Sequence, residues 1–171
     1  MPTPAYLSIT GRKQGNVSQG ASTDKSIGNT WQEGHEDEIL VQGFNHTVLI
    51  PTNPQNGQPA GPRRHEQLVI TKAFDKASPL LYNALTSGEL LDCEIKWFRT
   101  AADGTSEHYY TTTLTDAVIV DITASMAHCQ DPAMDHLGHE EQISFKYRKI
   151  EWRHEAAGTS GEDDWRKPDA T

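Results

Sequence analysis

The sequence predicts a mainly β chain that closes into a barrel or a two-sheet sandwich, flanked by one short α-helix. Three observations carry this. Most segments alternate apolar and polar residues, which is the period of a half-buried strand. Only one segment has helical periodicity. Two of the longest strand segments change parity in mid-run, and such a slip marks a bulge that bends a sheet. Roughly six to eight strands with a single helix cannot cover both faces of an open sheet, and closure solves that problem.

The elements follow in chain order. Leu7 and Ile9 alternate in a short first strand. Residues 39–50 read as a long second one, with Ile39 and Val41 on one face, Phe44, Val48 and Ile50 on the other, and the change at Gly43. Residues 66–74 place Leu68, Ile70 and Phe74 on one parity. A helix is predicted over about 79–87: Ser78 caps it, Pro79 fits its first position, Leu80, Leu81, Ala84 and Leu85 form its stripe, and Gly88 ends it. Residues 90–98 alternate through Leu91, Cys93, Ile95 and Trp97, and Asp103-Gly104 signals a hairpin to the next strand. Residues 108–122 are rich in Tyr, Thr, Val and Ile; Leu114, Val118, Val120 and Ile122 share one parity, with a break expected at Thr115-Asp116. In residues 142–152 the apolar set passes from Ile143, Phe145 and Tyr147 to Ile150 and Trp152 after Arg148-Lys149, a second bend.

This organisation gives one domain over residues 1–155 and a polar tail over 156–171 that carries the isolated aromatic Trp165. An aromatic in such a tail is expected to dock against a surface pocket. The loop 51–65 holds four prolines and two glycines and no periodicity, and the loop 123–141 is mixed and His-rich. Loops of this length within a compact domain are functional or flexible.

Composition narrows the function. The 171 residues include 24 acidic and 15 basic ones, a formal charge of −9, so nucleic acid and anionic membranes are poor partners. The N-terminus has neither a basic region nor an apolar core of a signal peptide, and no apolar run reaches the roughly 18 residues of a membrane helix. The chain is therefore expected to start in the cytoplasm and, if it leaves, to leave without a signal peptide. Cys93, in phase with Leu91 and Ile95, reads as a buried free thiol.

Candidate sites are few. His128, Cys129, Asp131, His136, His139 and Glu140 are metal-ligating residue types, but their spacing fits neither His-Glu-x-x-His nor a Cys-x-x-Cys pair. Gly158-Thr159-Ser160-Gly161 places its second glycine one residue too early for a nucleophile elbow. No phosphate-binding or dinucleotide-binding pattern is present, so no cofactor is expected and no catalytic residue is assigned. Charge placement is more informative. The segment 33–38 carries Glu33, Glu36, Asp37 and Glu38, whereas the long loop ends in Arg63-Arg64-His65. Opposite signs on separate segments favour ordered contact between copies.

The residues also resemble a known family. Gly34-His35-Glu36-Asp37-Glu38, Ser78-Pro79-Leu80-Leu81-Tyr82-Asn83-Ala84-Leu85, Lys96-Trp97-Phe98-Arg99, Leu114-Thr115-Asp116-Ala117, His128-Cys129-Gln130-Asp131-Pro132, Tyr147-Arg148-Lys149-Ile150 and Asp163-Asp164-Trp165-Arg166 occur in the order found in Hcp (haemolysin-coregulated) proteins of type VI secretion systems. The resemblance implies a two-sheet β-barrel with one flanking helix, assembled as a hexameric ring. Such rings stack head to tail into a tube inside a sheath, appear outside the cell without signal-peptide cleavage, and can hold effector proteins in the lumen. The implied partners are other copies of the chain, sheath and tube-tip proteins, and effectors. The implied role is structural rather than enzymatic. Glu36, Asp37, Glu38, Arg63, Arg64, His65 and Trp165 are the expected contact residues between subunits. The competing readings are a cytoplasmic metal-dependent enzyme and a monomeric ligand-binding barrel.

Overall fold

The structure, a computed structural model, describes residues 3–167. Ten strands form one continuous sheet. Its main path starts with β2 (Gly15–Asn16), β1 (Ala5–Gly11) and β8 (Leu91–Thr100). It continues through β9 (Ser106–Met126), β10 (His139–Lys146), β7 (Leu68–Ala73) and β4 (Gly43–Asn45). Beside this path, β3 (Ile39–Val41) pairs with β1, while β11 (Lys149–His154) pairs with β9 and carries β12 (Thr159–Asp164) on its outer edge. All of these pairs are antiparallel.

The ladder returns to its start. β3 pairs with β1, β4 pairs with β7, and Gln42 alone separates them, its N–H donating to the Thr71 carbonyl at 2.8 Å. The predicted bend at Gly43 is therefore the point where the chain crosses from the β1 end of the sheet to its β7 end and closes the barrel. A Cβ there would sit 3.2 Å from Cβ and Oγ1 of Thr71, so any larger residue would require Thr71 to give by a few tenths of an ångström.

The 21-residue β9 runs through both sheets. It does so by three register shifts: opposite Trp97/Phe98, opposite Leu91/Cys93, and opposite Ser144/Phe145. The second falls at the expected break, where Asp116 has a φ of 52°. These shifts correct the expected single parity. Leu114 points inward, but Ala117 and Ile119 then take the core positions, and Val120 is exposed. β10 and β11 follow β9 along the same side and are interrupted at Tyr147-Arg148, the other predicted bend. The core comprises Leu7, Ile9, Ile39, Leu68, Ile70, Leu91, Ile95, Leu114, Ile143, Phe145 and Ile150, all buried.

Helix α1 (Asp24–Ile27) is a single turn. Helix α2 (Ser78–Ser87) lies where expected, with Gly88 in the left-handed region at its end and Leu81 and Ala84 buried. Its cap differs from expectation. Asp75 Oδ1 accepts the N–H groups of Ala77 and Ser78 at 2.9 and 3.1 Å. The Ser78 hydroxyl is thereby released to donate to Glu141 Oε1 at 2.6 Å. The loop 51–65 is also more ordered than its composition suggests. β5 (Val48–Leu49) pairs with β6 (Arg64–His65), Thr52 bridges to Pro59, and Asn53 N–H donates to the Gln58 carbonyl, forming a narrow antiparallel arm. The expected tail likewise contributes β12, because each of its residues pairs across to β11.

One core position is occupied by a charge. Phe74 was expected to continue the inward row of Leu68 and Ile70, yet it is exposed and Lys72 takes the buried place. The Lys72 ammonium pairs with Glu141 and lies 3.1 Å from Asp75 Oδ1 and 3.0 Å from Ser78 Oγ. Burial raises the Asp75 carboxyl, partly opposed by Lys72. This network ties β7, β10 and the start of α2 together. Lys72→Met leaves two buried carboxylates without a counter-charge and is expected to cost about 3–5 kcal/mol in denaturant unfolding. Adding Glu141→Leu is expected to recover much of that; an unchanged midpoint for Lys72→Met would remove the network's assigned role.

Candidate assembly surface

The expected contact residues fall into two groups. Arg63, Arg64, His65 and Trp165 meet around one groove of about 570 Å³, whose wall also includes Pro62, Lys146 and Tyr147. Glu36, Asp37 and Glu38 line a separate groove of about 350 Å³ with Ser8, Thr10 and Lys96. The acidic run leads into β3, and β1, β8, β9 and β11 lie between β3 and β12 in the strand order.

The first groove is built on a hydrogen-bonded relay. The Tyr147 hydroxyl lies 2.8 Å from His46 Nε2 and 2.6 Å from His65 Nδ1. His65 Nε2 lies 2.6 Å from Asp163 Oδ2, and the same oxygen accepts from Arg63 Nε at 2.5 Å. The roles follow from the partners. An ionised Asp163 only accepts, so His65 Nε2–H donates to it; with a neutral His65, Nδ1 then accepts the Tyr147 O–H, and the phenol oxygen accepts from a His46 tautomer protonated at Nε2. Arg63 also donates to the carbonyls of Asp164 at 3.1 Å and Lys167 at 2.9 Å. Lys146 Nζ donates to the His65 carbonyl at 2.8 Å.

These bonds set the electrostatics. The Arg63 hydrogen bond, opposed by burial and helped by His65, holds the Asp163 carboxyl below its ordinary value. Burial, with the nearby Asp163 charge, pushes the Tyr147 phenol well above its usual range. Burial also lowers His46, with added repulsion from His65 and Lys146. The phenol hydroxyl is held between two histidines, and His65 in turn by Asp163, so the relay ties the ends of the long loop to β12 as a clamp.

The clamp fixes Trp165. Its backbone N–H donates to the Arg148 carbonyl at 3.2 Å, and its indole N–H donates to the Tyr147 carbonyl. Trp165 remains 51% exposed, with the Arg166 guanidinium 5.7 Å from the centre of its ring. Beside it, Arg148 bridges Asp116 at 2.9 Å and Asp164 at 2.5 Å. Arg63, expected to reach another copy, is thus engaged by Asp163 and the last described residues of its own chain. Arg64 is more exposed and pairs with Glu66 at 2.9 Å. Sequence reasoning missed Tyr147, Asp163, His46 and Lys146 as parts of this site. The available signals were that Tyr147 and Asp163 fall within the family-like stretches 147–150 and 163–166, and that His46 precedes the long loop and His65 ends it.

The acidic run is held from behind. Tyr6 stacks on His35 at 3.8 Å with planes 3° apart, and its hydroxyl donates to Gln32 at 3.0 Å. Asp37 accepts the Gly20 N–H at 3.0 Å, and Glu36 accepts that of Gly34 at 3.0 Å. Glu38 Oε2 is buried without a hydrogen bond, 3.8 Å from the Lys96 ammonium.

The His-rich loop places its donors apart. Among the described residues, no three His, Cys, Asp or Glu side chains are grouped to share a metal ion. Asp131 caps a 3-10 turn at Pro132–Met134, His128 accepts from Gln130 N–H, and His139 packs on Phe74 at 5.7 Å. Cys129 is an exposed free thiol, and Cys93 is a buried one. No described helix is long and apolar enough to cross a membrane.

Residues 6–154 match the family model described as type VI secretion system effector, Hcp. The chain is 63% identical over 169 residues to the "Major exported protein" of Pseudomonas aeruginosa, covering 98% of each chain. It superposes on the secreted protein Hcp3 from Pseudomonas aeruginosa with a TM-score of 0.82 at 57% identity, covering 96% of this chain and 99% of that one. A crystal structure of an Hcp protein gives a TM-score of 0.89 at 49% identity, covering 95% of this chain and 99% of that one.

The clamp has a defined acid limit. Because the folded-state value of Asp163 is depressed, its contribution is complete above the ordinary value of 3.8 and is lost as pH falls through the folded value. The Trp165 signal, taken as the fluorescence difference between the parent chain and Trp165→Phe, is expected to change below about pH 4. Asp163→Asn is expected to show the loosened signal already at pH 7; an identical acid profile for both proteins would remove Asp163 from the clamp.

Proposed function

The chain belongs to the Hcp family of type VI secretion proteins, and from this premise we propose that it is a ring subunit of the secretion tube. The observation that carries the reading is the separation of two unlike surfaces on one barrel: a groove with a basic rim beside β12, and an acidic run before β3. Unlike surfaces on identical chains join heterologously, closing into rings or growing as filaments. Six copies form the ring, and rings stack into the tube. The tube meets sheath and tube-tip proteins, is exported without a signal peptide, and holds effector proteins in its lumen. The role is structural rather than enzymatic. In support, the relay at Tyr147 is saturated with partners and presents no reactive group.

Solution mass tests the reading directly: the full chain is expected near six times 19.0 kDa, and a monomer at every concentration would overturn it. Electrostatic contact between copies makes a second expectation. Arg63 already serves its own chain, so Arg64 is the better probe. Arg64→Glu is expected to weaken ring or tube formation at low salt, with the difference shrinking as salt rises, since exposed pairs are weak and screened. Light scattering across a salt series reads this, and a salt-independent defect would point to misfolding instead.

A further inference from the structure

Charge alone is a weak grip, because exposed ion pairs contribute little to affinity. The acidic run, however, begins with an aromatic. Trp31 is 43% exposed and has no ring partner among the described residues. It heads Trp31-Gln32-Glu33-Gly34-His35-Glu36-Asp37, in which Glu33 and Asp37 are also exposed. The run is rigid behind Trp31 because Tyr6 holds Gln32 and His35, and Gly20 holds Asp37. Those anchors keep it at the β1 side, and no residue of the run lines its own chain's groove by Trp165.

That groove is the complement of such a segment. Pro62, Tyr147 and Trp165 give it apolar walls, and Arg63, Arg64 and Lys146 line it with positive charge, part of which is met from the same chain by Asp163 on Arg63 and Glu66 on Arg64. Its volume of about 570 Å³ lies in the range, roughly 300–1,000 Å³, of clefts that take compact organic groups. We propose that Trp31 of one copy inserts into the groove of the next, packing on Trp165 while its Glu33 and Asp37 face Arg64 and Lys146. This rests on the ring-subunit reading and names the point where copies grip. Buried Trp anchors carry most of an interface's energy, whereas the surrounding charges steer and orient the approach.

Sedimentation velocity of the full chain over a concentration series tests the insertion. Trp31→Ala and Trp165→Ala are each expected to raise the concentration needed for assembly by roughly 30-fold, as for an anchor residue. The double variant is expected to be little worse than either single one, because both remove the same contact. Circular dichroism on each variant checks that the barrel remains folded. As an independent arm, Trp31→Cys with Arg64→Cys in a Cys129→Ser background is expected to give an oxidised ladder of linked copies, absent from either single cysteine. If the parent assembles while the Trp31→Ala variant assembles equally and no ladder forms, the insertion is overturned and the ring reading stands. An intact ring whose Trp165→Ala variant loses only retention of an exported protein would assign the groove to cargo and also overturn it. A parent chain that stays monomeric overturns both.

Discussion

The rest of the molecule depends on a double bend held by Arg148. At that level β9 carries its register shift at Asp116, and the companion strand breaks at Tyr147-Arg148. Asp116 is the one non-glycine among the described residues with positive φ, a conformation disfavoured for most side chains but better tolerated by aspartate. The Arg148 guanidinium joins Asp116 to Asp164, and Arg12 reaches Asp116 from β1's end at 2.5 Å. The Arg148 side-chain hydrogen bond, opposed by burial and aided by Arg12, keeps the Asp116 carboxyl charged. Bending both strands at one level lets a single long ladder serve two sheets. The same arginine positions β12, and β12 brings Asp163 and Trp165 to the groove.

The strand periodicity made most of this architecture legible. The alternation of Leu91, Cys93 and Ile95 is buried as expected, and both parity changes are real bends. The periodicity failed where a bulge restored a face after losing it. Val118 and Val120 look continuous with Leu114 and Ile122 in sequence, yet the shift at Asp116 turns Ala117 and Ile119 inward, and the shift at Val120 returns the inward face to Ile122. It failed again at Lys72, because a charged residue gives no apolar signal although its partners, Asp75 and Glu141, bury it completely. A counter-charge 69 positions away cannot be read from local pattern.

The candidate site was legible by charge but not by assembly. Arg63-Arg64-His65 stand out by charge and Trp165 as an isolated aromatic, and the fold gathers all four onto one groove. Their bonds could not be foreseen, since they depend on Tyr147 and Asp163 arriving from a different strand pair. Of the two arginines expected to meet another copy, Arg63 is engaged at home by Asp163 and by two carbonyls of the tail. Any self-association of a chain with a formal charge of −9 works against general repulsion between copies.

The arm between β5 and β6 has a mechanical consequence. Residues just before and just after it, His46 and His65, both hold the hydroxyl of Tyr147, and Glu66 N–H closes on the Thr47 carbonyl at 2.9 Å. Its base is therefore pinned to the barrel at one point, and its tip is closed by its own backbone bonds. A pull on the arm is delivered to Tyr147, and through the β10–β11 strand to the whole barrel wall, instead of being absorbed by a slack loop. The arm is therefore a stiff strut on the barrel, able to carry load along its length rather than fold aside.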